Sequence, residues 1–257
     1  MVGGGYVDVA SASSAVQQFA LSWIQATLNT PHTLTIVMGG NNHGGAVTTG
    51  HASAWSGAVA FAKISVTDSR VRFVGGIDAE QEWSTAATVR AWAEAFRDGF
   101  SNHCTATAGT GACLYNFGTS ICGYSSSNEY CGFSDWDKYD IWYLSAGLQA
   151  TGQSHPFAAA FPEIYNTVGS NGRQWASVSL YGVISQGRKL YFVGSLAQKA
   201  ACEQFLQVYG YYPASCNGTD NTPEQAFSNL RDKINADNRT SQVPIPWSSN
   251  IKYQVSP

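Results

Sequence analysis

Short apolar runs alternate with segments of helical periodicity along most of this chain, and this alternation is the feature that most limits its fold. The runs "TLTIVMGG" (33–40), "VRFVGGID" (71–78) and "KLYFVGS" (189–195) are apolar at most successive positions. Between the runs, segments such as "AVQQFALSWIQATL" (15–28) repeat apolar residues at the spacing of a helix face. Strands that are apolar on both faces and separated by helices indicate a parallel sheet with helices outside it.

The number of these runs favours a barrel. Seven or eight strand runs fit in 257 residues, and a (β/α)8 barrel has about 250 residues. We therefore predict an α/β fold, a (β/α)8 TIM-type barrel, built as a single domain by residues 1–257, with disulfide-bonded loops over 102–135. A doubly wound open sheet is the alternative, but the sequence has no G-x-G-x-x-G after its first strand run and no P-loop. The remaining strand predictions are "GGYVDVAS" (4–11), "ACLYNFGTS" (112–120), "YDIWYLSAG" (139–147), "AAFPEIYN" (159–166) and the tail from 243.

Six cysteines indicate an oxidising compartment. The first four follow one another at nine-residue intervals, which is not the spacing of a zinc site. An even number of cysteines in loop-like surroundings is typical of disulfides in exported proteins, so we predict a secreted, extracellular chain. The sequence begins without the basic and apolar segments of a signal peptide, and we expect a mature chain whose export signal has been removed, with Met1 added for expression. Several connectivities are open, and we predict the local one: Cys104–Cys113, Cys122–Cys131 and Cys202–Cys216.

Charge and hydropathy limit the partners. The chain has 14 Lys and Arg, a net charge of −3 and no basic run, so we predict no nucleic-acid partner. No apolar stretch approaches the roughly 18–20 residues of a membrane span, so no membrane partner is predicted either. No sequence motif implies a cofactor or a metal, and we expect a monomer that acts on a polysaccharide.

The segment "GGIDAEQEW" (75–83) concentrates charge in a chain that is only 12% charged. In a continuous strand Asp78, Glu80 and Glu82 would point the same way, at the carboxyl end where barrels form their active sites. Like-charge repulsion should then raise the pKa of at least one of these acids, as a general acid requires. Two alternatives remain open: a solvated strand end before a helix cap at Ser84, or a divalent-cation site.

Other polar and aromatic residues at strand ends are candidates for substrate binding. Flat aromatic faces suit sugar rings, although most aromatic residues in such a chain belong to the core. His43, in a glycine-rich loop, is a possible proton carrier, and Trp83 follows Glu82 directly. The predicted substrate-binding residues are Asp8, Tyr115, Asn116, Trp142, Tyr143, Glu163 and Tyr165.

The acidic segment resembles the D-G-x-D-x-D-x-E strand of family 18 chitinases, with Gly76, Asp78 and Glu82 on matching positions. That resemblance implies Glu82 as general acid, whereas Gly75 and Glu80 replace the first and middle aspartates of the pattern. Asp78 and Glu80 are also similar to the D-x-E strand of family 25 lysozymes, which implies Glu80 as acid and Asp78 as its partner. "YVDVAS" (6–11) resembles the first strand of that family, and residues from about 135 to 250 resemble secreted bacterial proteins of uncharacterised function.

Both resemblances imply (β/α) barrels that act on N-acetylated glycans. We therefore expect a secreted glycoside hydrolase that cleaves a polysaccharide with N-acetylated sugars, such as chitin or peptidoglycan, by carboxylate general acid/base catalysis. Asp78, Glu80 and Glu82 are the predicted catalytic residues. The alternatives are a non-catalytic carbohydrate-binding or inhibitory barrel and a secreted structural or adhesive protein. A serine hydrolase has no support, since the sequence contains no G-x-S-x-G elbow.

Overall fold

Helices and strands alternate along the chain in a computed structural model that describes residues 8–42, 47–104, 111–150 and 155–251. The helices in these ranges are α1 (Val9–Ala26), α2 (Thr49–Ser65), α3 (Ala86–Phe100), α4 (Lys138–Trp142), α5 (Ser170–Gln186), α6 (Lys199–Tyr209) and α7 (Pro223–Ile234). The strands are β1 (Leu34–Asn41), β2 (Val71–Asp78), β3 (Leu114–Asn116), β4 (Tyr130–Cys131), β5 (Phe133–Asp137), β6 (Ala158–Ala160), β7 (Ser195–Ala197) and β8 (Ser248–Asn250).

The strands of the main sheet are parallel and follow one another in chain order. β1, β2, β3 and β6 form a four-stranded sheet in that order, β7 pairs with β8, and β4 and β5 form a separate antiparallel pair. Two parallel bridges, Ala160–Phe192 and Glu163–Leu196, extend the arrangement from β6 towards β7. A doubly wound sheet would reverse its strand order at a switch point, and these pairings show no reversal. The mixed α/β fold with a parallel sheet is confirmed, whereas a closed eight-stranded barrel is not seen among the described residues.

The sheet is apolar on both faces, which explains the continuous apolar character of its strands. Successive side chains of a strand point to opposite faces. Phe73 and Ile77 of β2 accordingly belong to the large core that includes the helices. Val74 points the other way and belongs to what we call the inner apolar cluster: Val74, Ala112, Tyr115 and Ala159.

Two helix starts differ from the sequence-based prediction. The first helix was expected after a cap at Ser13 or Ser14, but α1 begins at Val9, because the Asp8 side chain accepts from the main-chain N–H groups of Ala10 and Ser11. The third helix begins one residue later than expected, with Thr85 as its N-cap. The predicted start at Thr222 is confirmed, with a capping box to Gln225.

The strand predicted at "YDIWYLSAG" is wrong. This segment forms α4 and a π-helical turn, Tyr143–Gly147. A capping box explains the difference: the Asp137 side chain accepts from the Asp140 N–H, and the Asp140 side chain accepts from the Asp137 N–H. Asp140 also forms an ion pair with Arg90 of α3. Local capping and this tertiary contact outweigh the strand preference of the aromatic and β-branched residues.

The three local disulfides are confirmed: Cys104–Cys113, Cys122–Cys131 and Cys202–Cys216. The first two stabilise the stretch between α3 and α4, where long decorated loops were predicted. The third joins α6 to the loop before α7. Among the described residues, no helix has both the length and the apolar character needed to span a membrane.

Candidate functional site

Three carboxylates meet at the carboxyl ends of β2 and β6. Asp78 is the last residue of β2, Glu80 follows two residues later, and Glu163 follows β6. One oxygen of each carboxylate lies within 4.8 Å of the corresponding oxygens of the other two. Because the two strands run parallel in one sheet, their carboxyl ends share an edge, which is where α/β proteins place ligand sites. We call these three residues the acidic cluster.

Asp78 points to the face of the sheet that carries the inner apolar cluster, since it lies at even spacing from Val74 along β2. Its Oδ1 atom is buried and has no hydrogen-bond partner in the described part of the chain. Burial, followed by repulsion from Glu80, raises the pKa of Asp78 to about 8. The carboxyl group is therefore protonated at neutral pH.

The main chain of Glu80 is held in place by Asn42, a fully buried residue directly after β1. The Asn42 amide donates to the Glu80 carbonyl oxygen (2.7 Å), and its Oδ1 accepts from the Glu80 N–H (2.9 Å). These two bonds replace the strand pairing that ends at Asp78. They fix the backbone of Glu80 although it lies outside regular secondary structure.

The side chain of Glu80 is partly buried and accepts a hydrogen bond from Thr119 Oγ1 to its Oε2 atom (3.0 Å). Burial raises the pKa of Glu80 to about 7; the Thr119 hydrogen bond lowers it, and the charge of Glu82 raises it. Since a hydrogen bond to the carboxylate favours its charged form, Thr119 makes Glu80 the member of the pair with Asp78 that ionises first.

Glu163 is the most deeply buried member of the acidic cluster. Burial first, and then the charges of Asp78 and Glu80, hold its pKa well above the ordinary value, against the lowering effect of a hydrogen bond from Tyr165. The pKa of the Tyr165 hydroxyl is raised in turn, by burial and by Glu163. Glu163 and Tyr165, both predicted from the segment "FPEIYN", are therefore brought together at the site.

Glu82 does not join the acidic cluster. The expectation of one continuous strand through all three acids is wrong, because β2 ends at Asp78 and residues 81–83 form a turn. The Trp83 N–H donates to the Glu80 carbonyl oxygen across this turn (3.2 Å). The Glu82 side chain is exposed. Its role as general acid, implied by the family 18 resemblance, stays a prediction.

Three further predicted residues make their contacts elsewhere. Asp8 is exposed and caps α1, and the local hydrogen bonds of this cap, chiefly with Ser11, lower its pKa. Trp142 is buried in α4 and donates to the Arg188 carbonyl oxygen (2.9 Å). Tyr143 donates to Glu94 of α3 (2.8 Å). These positions result from helix formation where strand ends were expected.

The two predicted residues of β3 are buried beside the site and have structural contacts. Asn116 donates to Ser145 Oγ (3.0 Å) and accepts from the Gly118 N–H (3.1 Å). Tyr115 belongs to the inner apolar cluster, and its hydroxyl accepts from Arg72 (3.3 Å). Any contact of either residue with substrate stays a prediction, and His43 lies outside the described residues.

Sequence reasoning missed Asn42 and Thr119. A signal for Asn42 was present, because it is a polar residue at the end of an apolar strand run, as Asp78 is. Thr119 had no such signal. It lies in the irregular stretch after β3, and its hydroxyl lies within hydrogen-bonding distance of both Glu80 and Gln81 (3.0 and 2.8 Å).

The acidic cluster also has the donor chemistry of a divalent-cation site. Each of its members can offer one carboxylate oxygen, the ligand type that Ca²⁺ and Mg²⁺ prefer. Three protein oxygens are fewer than the roughly six to eight that Ca²⁺ takes, so water or substrate would complete the coordination. The prediction of no metal stays a prediction.

Comparison with protein-family models, curated proteins and solved structures gives no match. The function has therefore to be inferred from the chemistry of the site.

The pair formed by Asp78 and Glu80 can supply an acid and a base at the same time. Between about pH 7 and pH 8, Glu80 is mostly ionised and Asp78 mostly protonated. Two interacting carboxyl groups titrate as a pair, and the Thr119 hydrogen bond places the charge on Glu80. A buried site that holds one proton and one negative charge is suited to general acid/base or nucleophilic chemistry.

Proposed function

We propose that this chain is a glycoside hydrolase in which Asp78 is the general acid and Glu80 the nucleophile. The observation that supports this most directly is the close approach of the Asp78 and Glu80 carboxyl groups at the carboxyl end of β2, where one oxygen of each lies within 4.8 Å of the other. Glycosidases use such a pair of carboxyl groups, one protonated and one ionised. The raised pKa of Asp78 and the hydrogen bond from Thr119 to Glu80 give the two groups these different states.

The separation of the carboxyl groups favours retention of configuration. Retaining enzymes hold their two carboxyl groups roughly 5–5.5 Å apart, whereas inverting enzymes need about 6.5–9.5 Å to admit a water molecule. In the retaining mechanism Glu80 attacks the anomeric carbon while the Asp78 proton passes to the departing glycosidic oxygen. Asp78 then takes a proton from water, which displaces Glu80 from the glycosyl-enzyme intermediate.

The substrate class comes from the resemblance to family 18 chitinases and family 25 lysozymes: a polysaccharide with N-acetylated sugars, such as chitin or peptidoglycan. We propose a secreted protein, which the three disulfides support, since such bonds persist in oxidising compartments. We also propose that residues 1–257 form one barrel domain. The parallel strand order without a reversal and the apolar side chains on both sheet faces support this architecture.

The test measures release of reducing ends from chitin, peptidoglycan and non-acetylated polysaccharides. We expect turnover by the wild-type chain on an N-acetylated substrate, and a loss of at least a hundredfold in Glu80→Gln and Asp78→Asn. Glu203→Gln, which alters an exposed carboxylate on α6, is the matched control and should keep full activity. Full turnover by Glu80→Gln would reject the catalytic assignment. Glycan binding without turnover by the wild type would favour the non-catalytic binding protein.

A further inference from the structure

The ring of Phe117, directly after β3, lies across two glycines of the neighbouring strands. Gly39 of β1 and Gly76 of β2 are register partners. A Cβ atom added at either glycine would lie 2.5 Å from an atom of the Phe117 ring, which is closer than side-chain atoms approach one another. The absence of side chains at these two positions is what allows an aromatic ring to occupy this part of the sheet.

The ring lies on the same face of the sheet as Asp78. Gly76 and Asp78 are two residues apart on β2, so their side-chain directions coincide. At a rise of about 3.3 Å per residue, the Asp78 Cα lies roughly 7 Å along the strand from that of Gly76. Two residues after Phe117 on its own segment, Thr119 donates its hydrogen bond to Glu80. The ring therefore packs on the face of the sheet that Asp78 shares, next to the position of Asp78 along β2.

The position of Phe117 is fixed by its backbone. Its N–H donates to the Ile77 carbonyl oxygen (3.0 Å). A Cβ atom at the next residue, Gly118, would lie 2.2 Å from the Ala79 carbonyl oxygen, so the two main chains pass in close contact. The Phe117 side chain is nevertheless only half-buried, whereas the inner apolar cluster is buried. Phe117 is thus more exposed than the apolar residues of the inner apolar cluster.

We infer that Phe117 is the floor of a sugar-binding subsite, and that its ring packs against the apolar C–H face of the sugar held at Asp78 and Glu80. This inference rests on the proposed function, because the carboxylates define which sugar is bound. Ligand sites combine apolar or aromatic walls with a few placed polar groups, and this floor carries no polar group of its own. The residues that make the subsite possible are Gly39 and Gly76.

Binding is measured in a Glu80→Gln background, so that it does not depend on turnover. The probes are N-acetylchitotetraose and cellotetraose, titrated calorimetrically. We expect Phe117→Leu, which keeps the apolar volume but loses the flat face, to weaken binding of the N-acetylated probe about tenfold. Phe117→Tyr should bind as the parent does. Phe61→Leu, at an exposed position on the outer side of α2, is the matched control and should leave binding unchanged.

A second variant tests the role of the glycines. The methyl group of Gly76→Ala would displace the ring, and we expect the same loss of binding with the ring still present. Urea midpoints of all variants separate a lost contact from a lost fold. Three outcomes would overturn the subsite. They are unchanged binding in Phe117→Leu, a loss of binding that only follows loss of the fold, and no binding of either probe to the parent. Phe117-dependent binding in a chain without turnover would support the subsite and reject only the catalytic proposal.

Discussion

Replacing Glu80 by Gln should make the protein more stable at alkaline pH, in addition to its expected effect on activity. Burial raises the pKa of Glu80 from an ordinary value of 4.5 to about 7 in the folded protein. A carboxyl group of this kind contributes stability that is fully present below the unfolded-state pKa and is lost as the pH rises through the folded-state pKa. A glutamine at this position resembles the protonated acid and does not ionise.

The magnitude follows from the difference between the two pKa values. At about 1.36 kcal/mol for each pKa unit, the complete loss in the wild type is ~3 kcal/mol. Between pH 5 and pH 8.5 the loss is slightly smaller, ~2.5 kcal/mol, because the unfolded chain is already partly ionised at pH 5. The stability difference between Glu80→Gln and wild type should therefore move in favour of the variant by that amount.

Urea denaturation at pH 5 and pH 8.5 measures this difference. Glu82→Gln is the matched control, since its exposed side chain lies only two residues away and should show no comparable change. If the difference between Glu80→Gln and wild type is the same at both pH values, Glu80 is not a buried acid that ionises with difficulty. The assignment of an acid and a base to this pair would then lose its physical basis.

Two further predictions follow from the same geometry. The kcat/KM of the wild type should rise with ionisation of Glu80 near pH 7 and fall with ionisation of Asp78 near pH 8. In Thr119→Val, loss of the hydrogen bond to Glu80 should move the rise in kcat/KM to higher pH. If the rise stays at the wild-type pH, Thr119 does not lower the pKa of Glu80. Because the proposed reaction uses only carboxyl groups, dialysis against a chelator should leave turnover unchanged. Loss of activity that Ca²⁺ or Mg²⁺ restores would identify the acidic cluster as a cation site instead.

The strands of the sheet were predictable from sequence because their side chains are buried on both faces. "TLTIVMGG" and "VRFVGGID" correspond closely to β1 and β2. Aromatic content alone was a poorer guide, since "YDIWYLSAG" has the composition of a strand but begins with a capping box. Asp8 is a second case in which capping decides the local structure, because an aspartate after an apolar run suits a strand end and a helix N-cap equally. In both cases local hydrogen bonds decide the structure, and spacing does not show which ones form.

Three facts decide which residues form the acidic cluster, and two of them could be predicted from the sequence. The spacing of Asp78 and Glu80 marked the first pair, and the parallel topology brought Glu163 to the same edge, because carboxyl ends of parallel strands lie together. The third is the way in which the chain leaves β2. Asn42 binds the main chain of Glu80 just beyond the strand, so the direction of that side chain is set by the Asn42 hydrogen bonds and not by the alternation of a strand. If β2 continued as a strand, its alternating side chains would place Glu82 on the same face as Glu80. The turn at residues 81–83 instead leaves Glu82 in solvent, while Glu80 lies beside Asp78.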